Sequence, residues 1–311
     1  MAFLKAFGAF LPERKESNQE LGQRLECTPE WIQGACGIAE RRFAAEGEGV
    51  VEMAVASAKD CLSRAGMQAS DLGMLIVSSG SAEPRFPGPA SSVAHRLGCG
   101  RIPAWDLPMA SAGALFGLAL ANGLAARYGT VLVVAAEKMS TICLREPLDR
   151  NVAILFGDGA GACLVSHRDG FGAITGEAIH SDGSFAGDLR LNWGGALEMN
   201  GRSVILQAGR KLPASIAEVL ARAGIAAADV EVFLVHQANK NLIDRVAQSL
   251  GVPAERFYCN IQRFGNTSSA SMLIAAAEYF AAPAMTARPV VFAAFGAGFH
   301  WGALLVESRR A

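Results

Sequence analysis

The chain has 311 residues, 51% of them hydrophobic and 18% charged, with a net charge of −1 at pH 7. That composition suits an extensively buried α/β enzyme and excludes the basic footprint of a nucleic-acid binder. Seven cysteines (27, 36, 61, 99, 143, 163 and 259) are scattered and form no C-x-x-C pair, which argues against a disulfide frame or a zinc site and for a reducing, cytoplasmic setting. The start, MAFLKAFGAFLPERK, becomes charged too soon for a signal peptide, and no apolar run is long enough to span a membrane.

Residues 3–10 read as a short strand, 17–26 as a helix capped by Ser17 or Asn18, and Thr28-Pro29 as a turn leading to Trp31. Arg41 and Arg42 read as exposed. Val51, Ala54, Val55, Ala58 and Leu62 recur at helical spacing over 49–65, and Gly66 ends that helix. MLIVSSG, 74–80, is a buried strand running into a loop with Arg85, Phe86 and Pro87, and a helix follows over 89–97. The strand-like 103–110 is broken by Pro108 and delivers Ser111 to a long helix of small residues. VLVVAAE, 131–137, is an apolar strand. AILFGDGAGACLVS, 153–166, reads as two short strands hinged on glycines 157, 159 and 161, and 170–203 reads as irregular.

From helix 203–223, ended by Gly224, the order repeats. Residues 229–235 answer 71–77, each a strand preceded by Asp. FGNTSSASM, 264–272, places Asn266 where Ser111 stands in the first half, ahead of a small-residue helix over 270–281. VVFAAFGAGFHWGALLVE, 290–307, answers 153–166. The chain therefore reads as two duplicated α/β halves, 1–168 and 169–311, meeting at one crevice. Strands this apolar, alternating with helices, are covered on both faces.

The duplication brings Ser111, His236 and Asn266 to equivalent places. His236 ends the strand of FLVHQANKNLIDRVAQSLG, where side chains reach a crevice instead of the core. Taken singly, serine and asparagine are ordinary helix caps. Together the three residues supply a nucleophile, a base and an amide, and Gly265 with the Gly296-Ala297-Gly298 hinge lets backbone N–H groups approach a reacting carbonyl.

LPER, EWIQGACGIAERR, RFPGPA, DLPMASAG, DRNVAILFGDGAGA, SDGS, VHQAN, FGNTSSAS and FGAGFHWG occur in this order along nearly the whole chain. In these pieces the chain resembles the β-ketoacyl-acyl-carrier-protein synthase III family of thiolase-fold condensing enzymes. The resemblance implies a thiolase-like α/β fold with mixed sheets in α-β-α-β-α layers. It implies an acyltransferase of fatty acid or polyketide biosynthesis that takes acyl-CoA or acyl-carrier-protein thioesters, holds no permanent cofactor or metal, and pairs as a homodimer or with a homologue. His236 and Asn266 match two members of the family's Cys–His–Asn triad, and the Ser111 and Ala297 amides match its oxyanion hole. Trp31 and Arg150 match the coenzyme A adenine clamp, and Gly296 and Gly298 the glycine hinge of the substrate site. Phe86 matches an aromatic that closes the partner's acyl pocket. Lys240, Arg245 and Lys211 are the basic residues near the family's carrier-docking helix, whose other usual positions hold Asn241, Gln248 and Ser249.

The family's cysteine is Ser111 here, and the arginine shortly after its tryptophan is Ala35. A helix N-terminus readily yields thiolate from cysteine, whereas a serine hydroxyl needs a base, a role open to His236. Three accounts of Ser111 stand. It is a natural nucleophile for condensation or acyl transfer to a heteroatom; a natural loss in a decarboxylase or non-catalytic partner subunit; or a deliberate Cys→Ser change. A hydrolase is a further reading that sequence does not decide.

Overall fold

The computed structural model describes residues 1–281 and 286–308. The main elements are β1 (Phe3–Phe10), α1 (Val50–Ala65), β2 (Met74–Ser78), α2 (Pro89–Leu97), β3 (Ala104–Leu107), α3 (Gly113–Tyr128), β4 (Thr130–Lys138) and β5 (Asp158–Ser166). After them come β6 (Gly172–Ser181), α4 (Gly201–Ala223), β7 (Val232–Val235), α5 (Lys240–Leu250), α6 (Ser271–Tyr279), β8 (Val290–Gly296) and β9 (His300–Ser308).

Nine strands form one mixed sheet in the order β7-β8-β9-β6-β1-β5-β4-β2-β3. Read outward from its centre, β1-β5-β4-β2 and β6-β9-β8-β7 are the same topology, with antiparallel, antiparallel and parallel steps in each. The first series ends on a third parallel strand, β3. In the second, among the described residues, an isolated bridge from Phe233 to Phe257 stands in that place. The expected sheets are thus continuous, joined where β1 meets β6 at Phe3 with Ala173 and Leu4 with Gly172.

Strand periodicity generates the layers, because successive side chains leave a strand on opposite faces. Met74, Ile76, Val133, Leu234, Phe292 and Leu304 enter a central core with α3 and α6. Their neighbours Leu75, Val77 and Val134 pack outward against α1 and α2. Phe233, Val291 and Leu305 pack outward against α4 and α5. The result is the α-β-α-β-α layering of a thiolase-like fold. The central helices approach the sheet closely. A Cβ on Gly161 of β5 would lie 2.6 Å from Leu273 Cβ and 2.9 Å from the Ile274 nitrogen of α6. Gly161→Ala is therefore expected to destabilise the chain by about 1–3 kcal/mol in denaturant titration; a change under about 0.5 kcal/mol would contradict this packing.

Local signals place most ends. Ser17 accepts from the Glu20 N–H in a capping box, and Gly66, Gly224 and Gly251 close their helices in left-handed conformation. Four readings need correction. Residues 153–166 hold one strand, β5, preceded by the helical turn Arg150–Ala153, so the hairpin answering β8–β9 is β4–β5 with an insertion between. Residues 170–203, expected irregular, contain the ten-residue β6 that joins the halves; its GAITGEAIHS sequence is too small and too weakly alternating to announce a strand. Arg41, expected exposed, is fully buried and donates to Asn18 Oδ1 at 2.8 Å and the Ile154 carbonyl at 2.9 Å. Finally, the first-half residue Ser111 (φ +62°) shares its left-handed backbone with Ser268 (φ +48°), which makes Ser268, not Asn266, its counterpart.

Candidate active site

Ser111 lies between β3 and α3, where the chain turns from strand to helix. Gly296, at the end of β8, abuts that turn. A Cβ there would sit 2.5 Å from the Ala110 carbonyl oxygen and 3.0 Å from Ser111 Cβ, so only glycine fits. His236 follows β7, its N–H donating to the Ala293 carbonyl of β8 at 2.9 Å. Asn266 precedes α6 and is tied to the other half: its N–H donates to the Leu155 carbonyl at 2.8 Å and its own carbonyl accepts from Gly157 at 3.1 Å. Ser111, His236, Asn266 and Gly296 line one pocket, otherwise mainly apolar, with Leu155, Phe156, Met199, Val204 and Leu242. On its other side Ser111 borders a smaller pocket with Ile142, Phe156, Leu191, Leu197 and Ala297.

Hydrogen bonds orient the polar groups. Asn266 Oδ1 accepts from the Ser268 N–H at 2.9 Å, which fixes its amide and leaves the Nδ2 donors free to serve the pocket. His236 Nδ1 is engaged with Ser271 Oγ at 2.7 Å. Burial drives the His236 pKa from the ordinary 6.5 down to about 4, partly opposed by the Ser268 carbonyl. The imidazole is therefore neutral at pH 7. Between these values the unfolded chain binds the extra proton, so stability rises with pH. Relative to His236→Gln, the chain is expected to gain on the order of 3 kcal/mol in unfolding free energy from pH 4 to 6.5. A flat difference in paired denaturation curves would refute the shift.

The Ser111 N–H, expected to face an oxyanion, donates to Ser268 Oγ at 3.0 Å. An oxyanion using that hydrogen would have to compete with the hydroxyl. Two polar neighbours of these residues escaped the sequence reading. Ser268 is one. The other is Glu137, fully buried at the end of β4, which accepts from Ser81 Oγ at 2.6 Å, Gly80 N–H at 3.1 Å, Ser269 Oγ at 2.7 Å and Ser269 N–H at 3.3 Å. Burial pushes its pKa up while these donors pull it down. A lone acid closing the apolar run VLVVAAE was the available signal.

The Arg150 guanidinium lies 5.4 Å over the Trp31 ring, although 119 positions separate them. Trp31 is 39% exposed on the short helix Pro29–Cys36, capped by Thr28. Asn239 and Asn241 donate to the Ala35 and Gly34 carbonyls, so Asn241 ties that helix to α5. Gly298 packs against the His300 ring. Phe86 is 89% exposed and borders a pocket with Ala110 and Ala297. Lys240 is ion-paired with Asp244 at 2.5 Å, whereas Arg245 is exposed. Lys211 faces elsewhere, its ammonium 3.8 Å over the Trp301 ring and 3.5 Å from Asp182.

Paired half-sheets around two buried helices, with serine, histidine and asparagine brought to one narrow pocket, define a thiolase-fold condensing enzyme. Family profiles described as 3-oxoacyl-[acyl-carrier-protein] synthase III and its C-terminal region match residues 105–183 and 220–308. The chain is 34% identical to the β-ketoacyl-[acyl-carrier-protein] synthase III of Oleidesulfovibrio alaskensis, covering 99% of both chains. It is 37% identical to that of Roseobacter denitrificans over 98% of both. The crystal structure of the Aquifex aeolicus 3-oxoacyl-[acyl-carrier-protein] synthase III superposes with a TM-score of 0.93 at 32% identity, covering 99% of this chain and 100% of that one. The chain belongs to the β-ketoacyl-[acyl-carrier-protein] synthase III family of acyl-transferring condensing enzymes.

Proposed function

We propose that the chain takes an acyl group from a coenzyme A thioester onto Ser111 and condenses it with a malonyl-type extender. The observation that carries this reading is the convergence of Ser111, His236 and Asn266 on one pocket, with the Asn266 amide oriented as a donor. Acylation breaks the thioester C–S bond, forms an ester to Ser111 Oγ and passes the serine proton to the departing thiolate by way of His236 Nε2. Loss of CO2 from the extender leaves an enolate, whose oxygen accepts from Asn266 Nδ2–H and, in the tautomer whose Nδ1 accepts the Ser271 hydroxyl hydrogen, from His236 Nε2–H. Its carbon attacks the acyl ester, Ser111 Oγ leaves and takes a proton drawn from solvent by way of His236 Nε2, and a 3-oxoacyl thioester departs. The Ala297 N–H is the proposed donor to the tetrahedral oxyanion, and Gly296 lets the end of β8 approach the nucleophile turn closely. The test is conversion of acyl-CoA and a malonyl thioester to 3-oxoacyl product with release of CO2. Release of CO2 without 3-oxoacyl product would instead identify the decarboxylase or partner-subunit reading.

Trp31 and Arg150 form a flat cationic face suited to the adenine of coenzyme A. A carrier protein has a weaker foothold, since Asp244 neutralises Lys240 and leaves Arg245 on that helix. Edge strand β3, with Trp105 exposed at 47%, and the exposed Phe86 support a homodimer formed through this side. A cytoplasmic location agrees with seven free cysteines; among the described residues no helix is long and apolar enough to cross a membrane.

A further inference from the structure

Ser268 touches every member of the proposed triad through a different group. Its hydroxyl oxygen accepts from the Ser111 N–H at 3.0 Å, and its own N–H donates to Asn266 Oδ1 at 2.9 Å. Its carbonyl acts on the His236 ring, where it favours the protonated form. The residue is 1% exposed and holds φ at +48°, a backbone conformation that costs a serine energy. The next residue, Ser269, donates its hydroxyl and its N–H to Glu137 Oε1 at 2.7 and 3.3 Å, which ties this turn to the end of β4. Ser111 is itself left-handed at φ +62°, and its amide is paired across the crevice by this hydroxyl.

We propose that the Ser268 hydroxyl is a positioning group for the nucleophile turn, anchoring the Ser111 amide so that its side chain meets the incoming acyl carbonyl. The proposal rests on the acyl-transfer reading above and adds a division of labour to it. The hydroxyl serves Ser111 and therefore acylation. The main chain of Ser268 serves Asn266 and His236 and therefore decarboxylation. Without the hydroxyl, a buried N–H loses its partner, and the turn relaxes toward ordinary backbone, carrying the nucleophile away.

The division makes the proposal testable by two half-reactions. Ser268→Ala and Ser268→Gly both delete the hydroxyl and keep the main chain; the glycine variant also removes the left-handed strain, guarding against misfolding. Each is made in the natural chain and in a Ser111→Cys background, where the same backbone amide needs the same anchor. Adduct formation with an acyl-CoA is followed by intact-protein mass spectrometry, and decarboxylation by CO2 release from a malonyl thioester. Adduct formation is expected to fall at least about tenfold in both variants, with decarboxylation staying within about twofold. Unchanged adduct formation would overturn the proposal. So would a parallel fall in both half-reactions, which a merely structural residue would give. Adduct in the cysteine background alone would refute the serine nucleophile while still testing Ser268. No adduct in either background would refute both.

Discussion

Restoring a thiol at position 111 is expected to raise carbon–carbon condensation at least about a hundredfold, while Ser111→Ala abolishes the acyl adduct and leaves decarboxylation. Two steps contribute. A cysteine with an ordinary pKa of about 8.5 supplies thiolate near neutral pH, aided by the N-terminus of α3 behind it. A serine must surrender its proton as it attacks, and its available base is weak: burial has lowered the His236 pKa to about 4. The more easily an imidazole stays neutral, the less it gains by taking a proton. In the second step the enolate attacks a thioester more readily than the oxygen ester that Ser111 forms. The measurement is product formation from acyl-CoA and malonyl thioester for the natural chain, Ser111→Cys and Ser111→Ala. Equal rates for serine and cysteine would show that another step limits turnover and that the hydroxyl is no handicap. An adduct persisting in Ser111→Ala would move the nucleophile elsewhere.

Much of the layout was legible because it follows from short-range rules. The apolar runs 74–78, 130–138, 232–235 and 290–296 specify buried strands whatever their partners, and capping residues with left-handed glycines fix most helix ends. The repeat in element order points Ser111, His236 and Asn266 to one crevice, although Ser268, not Asn266, is the position that matches Ser111. What remained hidden depends on contacts far apart in sequence. β6 is made a strand by its long ladder to β9, not by its own alternation. Arg41 is buried because Asn18 and the Ile154 carbonyl happen to meet its guanidinium. Ser268 looked like one more small residue in GNTSSAS. Its importance comes from a positive φ and from the Ser111 amide 157 positions away, neither of which a local pattern encodes.

Asn266→Asp should separate the two halves of the reaction most cleanly. The substitution is nearly isosteric, and Oδ1 can still accept the Ser268 N–H. What changes is the other end of the group, where an amide that donates hydrogen becomes a carboxylate oxygen that only accepts. That oxygen would confront the negative charge developing on the enolate, inside an apolar pocket where little water screens the repulsion. Losing one such donor typically costs a factor of about 10²–10³ in rate, and CO2 release is expected to fall by at least that much. Acylation at Ser111, which does not pass through the enolate, should fall far less. The comparison is CO2 release from a malonyl thioester against adduct mass, both measured on the same protein. If Asn266→Asp keeps decarboxylation within about threefold of the natural chain, the amide is not the enolate's donor. His236 Nε2 would then have to hold that charge alone, and as a neutral imidazole it could do so only in the tautomer where Nδ1 accepts the Ser271 hydroxyl hydrogen.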